Sequence, residues 1–395
     1  MPNLRFPEFE GEWEECLLKD VAEISKGTGI SKDQLSETGH PCILYGELYT
    51  KYKSEVISEV LSRTNIENSN LVQSKSNDVI IPSSGETAID ISTARCVPFS
   101  NILLGGDLNI IRLKEHDGRF LSYQLNGVRK LEIAKIAQGV SVVHLYGESL
   151  KRLKIKLPSI QEQNKISSLL NLIDERIATQ NRIIEKLLSL MQGLNNYLQE
   201  NAMLSYHLSF SDIGEDYSGL TGKTANDFGI GKPYITYVDV FSNTFVDDSS
   251  AMVSVHTDEK QNIVLNGDML FTLSSETPEE VCYGAVYNGS QKEIYLNSFC
   301  FGVRNIENKV YSPYMAYFFN SRRFRRAVYP LAQGSTRFNL QKADFLHKKF
   351  ALPSKDKQRN IFKILNAYEN KLKADKSILD KLQKQKAYLL KEMFV

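Results

Sequence analysis

The sequence is poor in the residues that build metal centres and disulfide frameworks. Its 395 residues include only five cysteines and six histidines. The cysteines are odd in number, widely separated and never spaced as C-x-x-C, so they indicate neither a disulfide framework nor a zinc site. The histidines form no cluster with the spacing of metal ligands. We therefore expect reduced, mostly packed thiols and no metal centre.

Catalytic motifs and long apolar runs are also missing. There is no G-x-G-x-x-G loop, H-E-x-x-H zinc motif, G-x-S-x-G elbow or N-P-P-[YF] tetrad. Residues 219–224 read G-L-T-G-K-T, but the first glycine of a phosphate-binding loop would fall at Tyr217. No window has the length of a membrane span or of a signal-peptide core. We expect a cytoplasmic protein without catalytic activity of its own.

The overall composition is that of an ordinary globular protein. Hydrophobic residues make up 42% of the chain and charged residues 24%, with a net charge of +1. The length is sufficient for two domains with full cores. The small net charge leaves the partner class open, because a basic binding face can be offset by acidic surfaces elsewhere.

What the sequence does contain is an internal repeat, at a spacing of roughly 190–195 residues. Ordered similarity over a whole chain indicates duplication followed by divergence, and it predicts an object with pseudo-two-fold symmetry that binds something with two ends. The matched segments are 18–23 with 210–215, 43–48 with 235–240, 78–87 with 268–277, 137–141 with 332–336, and 157–159 with 352–354.

Each copy begins with a head of short, β-rich apolar runs bounded by turn signals. Helical stretches are predicted at about 119–137 and 312–332. The predicted fold class is α/β: two repeated mixed α/β domains with twisted sheets, separated by two long helices packed as an antiparallel coiled coil. The predicted boundaries are 1–157 and 202–352 for the domains, and 158–201 and 353–395 for the helices.

Each copy ends with a long helix whose apolar residues recur in alternating steps of three and four, as in a coiled coil. The helices are predicted at about 161–199 and 356–394, and at about 58 Å each they are too long to be stable without a partner face. Their midpoints, Gln180 and Asp375, are polar exceptions in the heptad series. In an antiparallel pair these two residues would meet in one polar layer that fixes the register. The alternative is two unrelated polar substitutions on a partly exposed seam.

Each long helix is entered through a Pro-Ser pair, in which the serine is placed to cap the first backbone N–H groups. In the first copy, Ser159 and Glu162 have the spacing of a capping box. The second copy has Lys357 at the matching position, so the box is lost there.

Basic residues recur around the same Gln-Gly turn in both copies. Such an arrangement suits contact with two phosphate backbones, although a solvated helix face is the alternative for any one cluster. The turns offer backbone N–H and hydroxyl donors for phosphate oxygens; a plain turn role for the glycines is equally open. The candidates are Lys135, Gln138, Gly139 and Ser141 in the first copy, and Arg322, Arg323, Arg325, Arg326, Gln333, Gly334, Thr336 and Arg337 in the second.

A second pair of polar loops follows two predicted buried strands. Their side chains carry atoms able to read base edges, but the sequence leaves open whether they do. The candidates are Ser84, Glu86 and Thr87 in the first copy, and Ser274, Ser275, Glu276 and Thr277 in the second.

Along its whole length the sequence resembles the specificity subunits of type I restriction-modification enzymes. The resemblance rests on the opening around Phe6, Phe9 and Trp13, on the Gln-Gly-Ser/Thr turns, and on the entries to the long helices. Those entries read Pro158-x-x-x-Glu162-Gln163-x-x-Ile166 in the first copy and Pro353-x-x-x-Lys357-Gln358-x-x-Ile361 in the second, where the glutamate is absent.

The resemblance implies that each domain reads one half of a bipartite double-stranded DNA target through the major groove, and that the helices set the gap. It also implies docking of two modification (methyltransferase) subunits and, through them, restriction subunits. S-adenosylmethionine, ATP and Mg belong to those partners, and this chain needs no cofactor. The helix positions expected in register or partner docking are Gln163, Ile166, Gln180, Gln358, Ile361 and Asp375.

Two other functions remain open at this point. One is a coiled-coil interaction protein whose two heads bind something other than DNA, against which the duplicated basic residues argue. The other is a stand-alone DNA-modifying enzyme, which would need the cofactor loop and catalytic tetrad that the sequence lacks.

Overall fold

The structure is a computed structural model that describes residues 2–66, 70–249, 253–257 and 259–394. It divides into two compact units: unit 1, Met1–Arg182 with Ser377–Val395, and unit 2, Ile183–Lys376. Two long helices are shared between the units. Stem helix 1 spans Ile160–Glu200 and stem helix 2 spans Lys355–Glu392, close to the predicted limits.

The central sheet of unit 1 has four antiparallel strands, in the order Ala22–Lys26, Leu108–Leu113, Asp78–Pro82 and Arg95–Val97. Strand Asp78–Pro82 is buried throughout. Its alternate residues enter different cores: Val79 packs in the core that contains the stem, and Ile80 packs in the core on the other face. Burial on both faces explains why this run is apolar without alternation.

Shorter elements complete unit 1. The remaining strands are Glu14–Leu17, Leu35–Ser36, His40–Ile43, Ser62–Thr64, Ser84–Gly85, Leu103–Leu104, Val143–His144 and Lys154–Leu157. The short helices are Leu18–Val21, Lys32–Gln34 (3-10), Glu47–Thr50, Ala88–Ile91, Gly118–Asn126, Lys130–Ile136 and Gly147–Lys151.

Unit 2 repeats the sheet order of unit 1 and adds one strand at the edge. The order is Glu215–Ser218, Cys300–Arg304, Met269–Thr272, Gly284–Tyr287 and Phe245–Val246, with only the last pair parallel. The first four strands correspond one by one to those of unit 1. The predicted repeat of two mixed α/β domains is therefore confirmed at the level of topology.

Unit 2 has a comparable set of shorter elements. Its other strands are Leu204–Leu208, Phe228–Ile235, Val253–Val255, Ser274–Ser275, Tyr295–Leu296, Ala332–Gln333, Phe338–Leu340 and Phe350–Pro353. Its short helices are Phe210–Ile213, Ala225–Asp227 (3-10), Tyr237–Ser242, Pro278–Glu280 (3-10), Ser312–Phe319, Arg322–Val328, Tyr329–Leu331 (3-10) and Lys342–His347.

The predicted helical stretches near 119–137 and 312–332 each contain a break. In unit 1 the break follows Gly127, whose N–H donates to the carbonyl of Tyr123 at 2.9 Å. In unit 2 the buried Ser321 starts a new helix, because its side chain accepts the N–H of Phe324. Each predicted stretch is therefore at least two short helices, since these caps end one helix or begin the next.

Within each unit, opposite halves of the two stem helices pack together. Leu170 of stem helix 1 shares the core of unit 1 with Leu389 of stem helix 2. In unit 2, Leu198 packs against the core that contains Ile361. The beginning of one helix thus meets the end of the other, as the predicted antiparallel coiled coil requires.

The midpoint residues of the stem helices lie in different units. In unit 1, Gln180 lines a groove together with Ile378 and Leu382. In unit 2, Asp375 is buried and its Oδ1 accepts a hydrogen bond from Lys371 Nζ at 3.0 Å. The predicted polar layer of Gln180 and Asp375 stays a prediction.

Buried glutamines fix the first turn of each stem helix to its head. Gln163 Nε2 donates to the carbonyl five residues before it at 2.8 Å, and its Oε1 accepts the N–H of Asp117 at 3.1 Å. Gln358 makes the same pair of bonds, the second with the N–H of Tyr311 at 2.8 Å. The repeated Pro-x-x-x-x-Gln motif therefore serves the fold, because each amide satisfies backbone groups that would otherwise be buried unpaired.

The glutamine and the isoleucine at the entry to each stem helix do not offer a docking surface. Gln163, Ile166, Gln358 and Ile361 are each 0–1% exposed within their own units. A partner that docks on the stems must use other, exposed helix positions.

The predicted capping box at the start of stem helix 1 is only half formed. Ser159 Oγ accepts the N–H of Glu162 at 3.3 Å, as expected. The Glu162 carboxylate turns instead to Arg5, with two N–O distances of 2.8 Å, and to Trp13 Nε1 at 3.3 Å. The glutamate thus ties stem helix 1 to the segment around Arg5 and Trp13, whereas the matching Lys357 of unit 2 is exposed.

A buried aspartate braces each central sheet. Asp78 pairs with Arg112 of the neighbouring strand at 2.7 Å, and Asp268 pairs with Arg304 at 2.9 Å. Both carboxylates are almost fully buried, so the arginine supplies the charge compensation that burial demands. The two aspartates match in the repeat, but their arginine partners could not be predicted from it.

Candidate nucleic-acid interface

In unit 1, strand pairing brings the candidate polar loop beside the Gln-Gly turn. Strand Ser84–Gly85 pairs with Val143–His144. His144 also exchanges two backbone hydrogen bonds with Gln138, at 2.9 and 2.7 Å. Two candidate segments that are far apart in sequence therefore form one small ribbon.

Unit 2 contains the same ribbon. Strand Ser274–Ser275 pairs with Phe338–Leu340, which pairs in turn with Ala332–Gln333. The structure thus brings together the two sets of candidate residues in both units. Their contact with DNA stays a prediction.

The glycine of each turn is required by the backbone. Gly139 has φ of +125° and Gly334 has φ of +137°, a region that side chains rarely adopt. A Cβ at either position would lie 2.1 Å from a carbonyl oxygen, that of Val142 or of Arg337 respectively. The plain turn role of the glycines is therefore established, and it leaves Ser141 and Thr336 exposed on the turns.

Replacing Gly334 with alanine is expected to lower the free energy of unfolding by about 1–3 kcal/mol, because the backbone is strained for any L side chain. Urea denaturation provides the measurement. Gly193 is the control: it lies inside stem helix 1 with nothing within 4 Å of an added Cβ, so alanine there should stabilise by about 0.5–1 kcal/mol. A Gly334 variant as stable as the Gly193 variant would contradict this assignment.

Several hydroxyls of the candidate loops are used by the fold. Thr87 Oγ1 accepts the N–H of Asp90 at 3.1 Å and donates to Asp90 Oδ2 at 2.7 Å, as a helix cap does. Ser275 Oγ donates to Glu280 Oε2 at 3.1 Å, whereas Ser274 is buried and its Oγ has no hydrogen-bond partner among the described residues. The loops nevertheless leave two equivalent carboxylates exposed.

Those exposed carboxylates are Glu86 in unit 1 and Glu276 in unit 2. Thr277 is exposed beside Glu276, immediately before the 3-10 turn Pro278–Glu280. Exposed side chains are the ones that remain available to a ligand.

Arg325 supports a neighbouring loop of unit 2. Its guanidinium donates to the carbonyls of Glu279, Val281 and Cys282 at 2.6–2.8 Å and stacks on the ring of Tyr283 at 4.5 Å. Burial lowers the pKa of Arg325 from its usual value. With its donors directed at three carbonyls, this arginine holds the loop in place rather than presenting a free cation.

The other arginines of the same helix are more accessible. Arg322 and Arg326 are exposed, whereas Arg323 is half-buried and donates weakly to a carbonyl of stem helix 1 at 3.4 Å. The helix start is fixed by Asn196, whose Oδ1 accepts the N–H of Arg322 at 2.8 Å. In unit 1, Lys135 is exposed and lines a groove together with Gln138.

A groove of 770 Å³ in unit 2 gathers four of the candidate residues. Tyr237 matches Tyr45 in the repeat, but no motif in the sequence marks either tyrosine as a site residue. The groove, called groove 2 below, is lined by Tyr237, Phe241, Ser275, Glu276, Glu280, Thr336 and Arg337.

Within residues 2–66, 70–249, 253–257 and 259–394, no group of three His, Cys, Asp or Glu side chains is placed to hold a metal ion. No helix there is long and apolar enough to cross a membrane.

The family model of the type I restriction modification DNA specificity domain matches the chain twice, at residues 10–189 and 210–384. The chain belongs to this specificity-domain family. The two matched regions coincide with the two copies of the internal repeat. A curated relative, the type I restriction enzyme MjaVIII specificity subunit of Methanocaldococcus jannaschii, is 22% identical over 99% of this chain and 93% of its own length.

Solved structures of type I systems share the fold of this family member. The S subunit of a type I restriction-modification system from M. genitalium has a TM-score of 0.61 at 16% identity, covering 100% of this chain and 99% of its own. A chain from a study of complex assembly and conformational transition of the type I R-M system has a TM-score of 0.59 at 14% identity, covering 97% of both chains. These likenesses confirm the predicted fold class.

Proposed function

We propose that this chain is the non-catalytic, sequence-specific DNA-binding subunit of a type I restriction-modification complex. In this proposal each unit reads one half of a bipartite double-stranded target. The observation that carries it is the ribbon of loop and turn, which occurs once in each of two covalently joined units of one DNA-specificity family. A two-headed reader of this kind binds a target with two parts.

The proposed partners are two modification subunits and, through them, restriction subunits. Docking would use exposed apolar positions of the stem helices, since the entry-motif residues are buried. Leu172, Leu190 and Tyr388 are 59%, 53% and 58% exposed. S-adenosylmethionine, ATP and Mg would be bound by those partners, and the complex would work on DNA in the cytoplasm.

The direct test is selection of bound sequences from a random DNA pool by the purified chain, followed by a methyl-transfer assay with and without an added modification subunit. We expect two short conserved blocks at a fixed separation, and methyl transfer only when the second protein is present. Methyl transfer by the chain alone would show a stand-alone enzyme. A pool without enrichment would favour an interaction protein whose heads bind something other than DNA.

Removing two exposed arginines should weaken DNA binding and its dependence on salt. The variant is Arg322→Ala with Arg326→Ala, which spares Arg325 because that residue supports a loop. Each lost phosphate contact reduces the slope of log affinity against log salt by about 0.9, so a decrease of about 1–2 is expected. The control is Lys363→Ala with Lys373→Ala, which removes the same charge from exposed positions of stem helix 2. Equal slopes for the two variants would show that the arginines do not contact phosphates and only form a solvated helix face.

A further inference from the structure

Groove 2 has an aromatic wall that is fixed to the ribbon. The rings of Tyr237 and Phe241 stack at a centroid distance of 5.8 Å and an interplanar angle of 17°. The Tyr237 hydroxyl donates to the carbonyl of Ser274 at 2.7 Å. This hydrogen bond holds the two rings beside strand Ser274–Ser275, which pairs with Phe338–Leu340.

Unit 1 assembles the same kinds of side chain beside its own ribbon. A Cβ added to Gly85 would lie 3.6 Å from the Tyr49 hydroxyl, so this tyrosine lies beside the short strand. Tyr49 follows the matched segment 43–48 as Phe241 follows 235–240. Burial raises the pKa of Tyr49, and the neighbouring acids Asp90 and Glu86 raise it further. Tyr49 and the acids Glu86 and Asp90 thus lie near one another in unit 1, as Phe241, Glu276 and Glu280 do in groove 2.

The charge of groove 2 favours base edges over phosphates. Glu276 and Glu280 line it together with Arg337, so carboxylates outnumber cations in the lining, and carboxylates repel phosphate oxygens. Carboxylates instead accept hydrogen bonds from exocyclic amines such as the N4 amine of cytosine, which the major groove presents. A duplex lying over the ribbon would therefore meet this groove with its bases, while exposed arginines such as Arg322 and Arg326 remain for the backbone.

One position in this shared arrangement differs sharply between the units. It is the third residue after the turn glycine, Val142 in unit 1 and Arg337 in unit 2. The carbonyl oxygen of this residue would lie 2.1 Å from a Cβ added to the glycine. Val142 is 52% exposed. Arg337 is also exposed, with its guanidinium 5.5 Å from the ring centroid of Phe299. Within the ranges that the structure describes, Arg337 forms no ion pair with an acidic side chain.

We propose that Arg337 is a specificity-determining residue that reads a guanine in the half-site bound by unit 2, and that Val142 contacts a thymine methyl at the equivalent place in the other half-site. Arginine donates two hydrogen bonds to O6 and N7 of guanine, whereas an apolar side chain recognises the thymine methyl group. The inference rests on the proposed DNA-binding function and names the residues that make the two half-sites unlike.

The test compares sequences selected from a random DNA pool by the full-length wild type and by Arg337→Val and Val142→Arg. Valine already occupies the equivalent turn of unit 1, so the turn of unit 2 should fold with it. Arg337→Val should lose discrimination for guanine by about tenfold or more at one base pair, with the other half-site unchanged. Val142→Arg should replace a thymine preference by guanine in that other half-site.

The control is Arg326→Ala, which should lower affinity for all sequences alike. An Arg337→Val protein that binds and keeps its guanine preference, or that changes both half-sites, overturns the assignment of Arg337 while the proposed function stands. Absence of any selected sequence with the wild type refutes the proposed function itself. The two failures are therefore distinguishable in one experiment.

Discussion

Replacing Phe210 with alanine is expected to lower the free energy of unfolding by about 3–5 kcal/mol. Phe210 is fully buried in unit 2. Its ring stacks on Phe345 at 4.7 Å between centroids and meets the edge of Phe271 at 5.1 Å. Alanine would leave a cavity that rigid aromatic neighbours cannot fill, and the loss is measurable as a shift of the urea denaturation curve.

A matched control is available on the preceding strand. Tyr206 is 43% exposed, so Tyr206→Ala should cost less than about 1 kcal/mol because little aromatic surface is uncovered. If Phe210→Ala costs no more than this control, the aromatic cluster does not determine the stability of unit 2.

Replacing Lys386 with methionine is expected to destabilise unit 1 by about 3–5 kcal/mol at pH 8, because two buried carboxylates would lose their cation. Lys386 Nζ lies 2.6 Å from Asp174 Oδ1 and also pairs with Glu55. Asp174 further accepts a hydrogen bond from the Tyr123 hydroxyl at 2.8 Å. The network joins both stem helices to the head within unit 1.

This loss should be smaller at pH 5. Burial raises the pKa of Asp174 to about 6, against the opposing charge of Lys386. A raised acid pKa means that the folded state holds the proton more tightly than the unfolded state, so this group's contribution to stability falls as the pH rises from about 4 to about 6. Without Lys386 the pKa of Asp174 rises further, and its protonation at pH 5 removes one of the two uncompensated charges.

The control for the lysine variant is Lys384→Met. Lys384 is 76% exposed and pairs with Asp380 at 2.9 Å, and exposed pairs of this kind contribute little. It should therefore leave the unfolding curve nearly unchanged at both pH values. An equal loss for Lys386→Met at pH 5 and pH 8 would argue that packing rather than charge holds the network.

The repeat and the heptads predicted much of the architecture because both are periodic signals. Equivalent segments such as 78–87 and 268–277 occupy equivalent strands in the two sheets. The meeting of each Gln-Gly turn with its polar loop was not predicted, because it depends on pairing between strands far apart in sequence, such as Ser84–Gly85 with Val143–His144.

The roles of individual side chains were less predictable, since they depend on which face of an element is buried. Arg322, Arg325 and Arg326 are indistinguishable by residue type and share one helix, yet only Arg325 points its guanidinium at a carbonyl cluster. Glu162 shows the same limit at longer range. Its spacing from Ser159 is that of a local cap, but its partner Arg5 lies 157 residues away in sequence.

The division of the chain between the units has a consequence for its biosynthesis. Unit 2 is one continuous segment, Ile183–Lys376, whereas unit 1 is closed by Ser377–Val395. There the N–H of Leu4 donates to the carbonyl of Glu392 at 2.9 Å. The ribosome synthesises the chain from the N-terminus to the C-terminus, so all of unit 2 is available to fold before unit 1 is complete. Unit 1, whose first residues are synthesised earliest, is therefore completed after unit 2. The apolar side chains of stem helix 1 in unit 1 stay uncovered until residues 377–395 have left the ribosome.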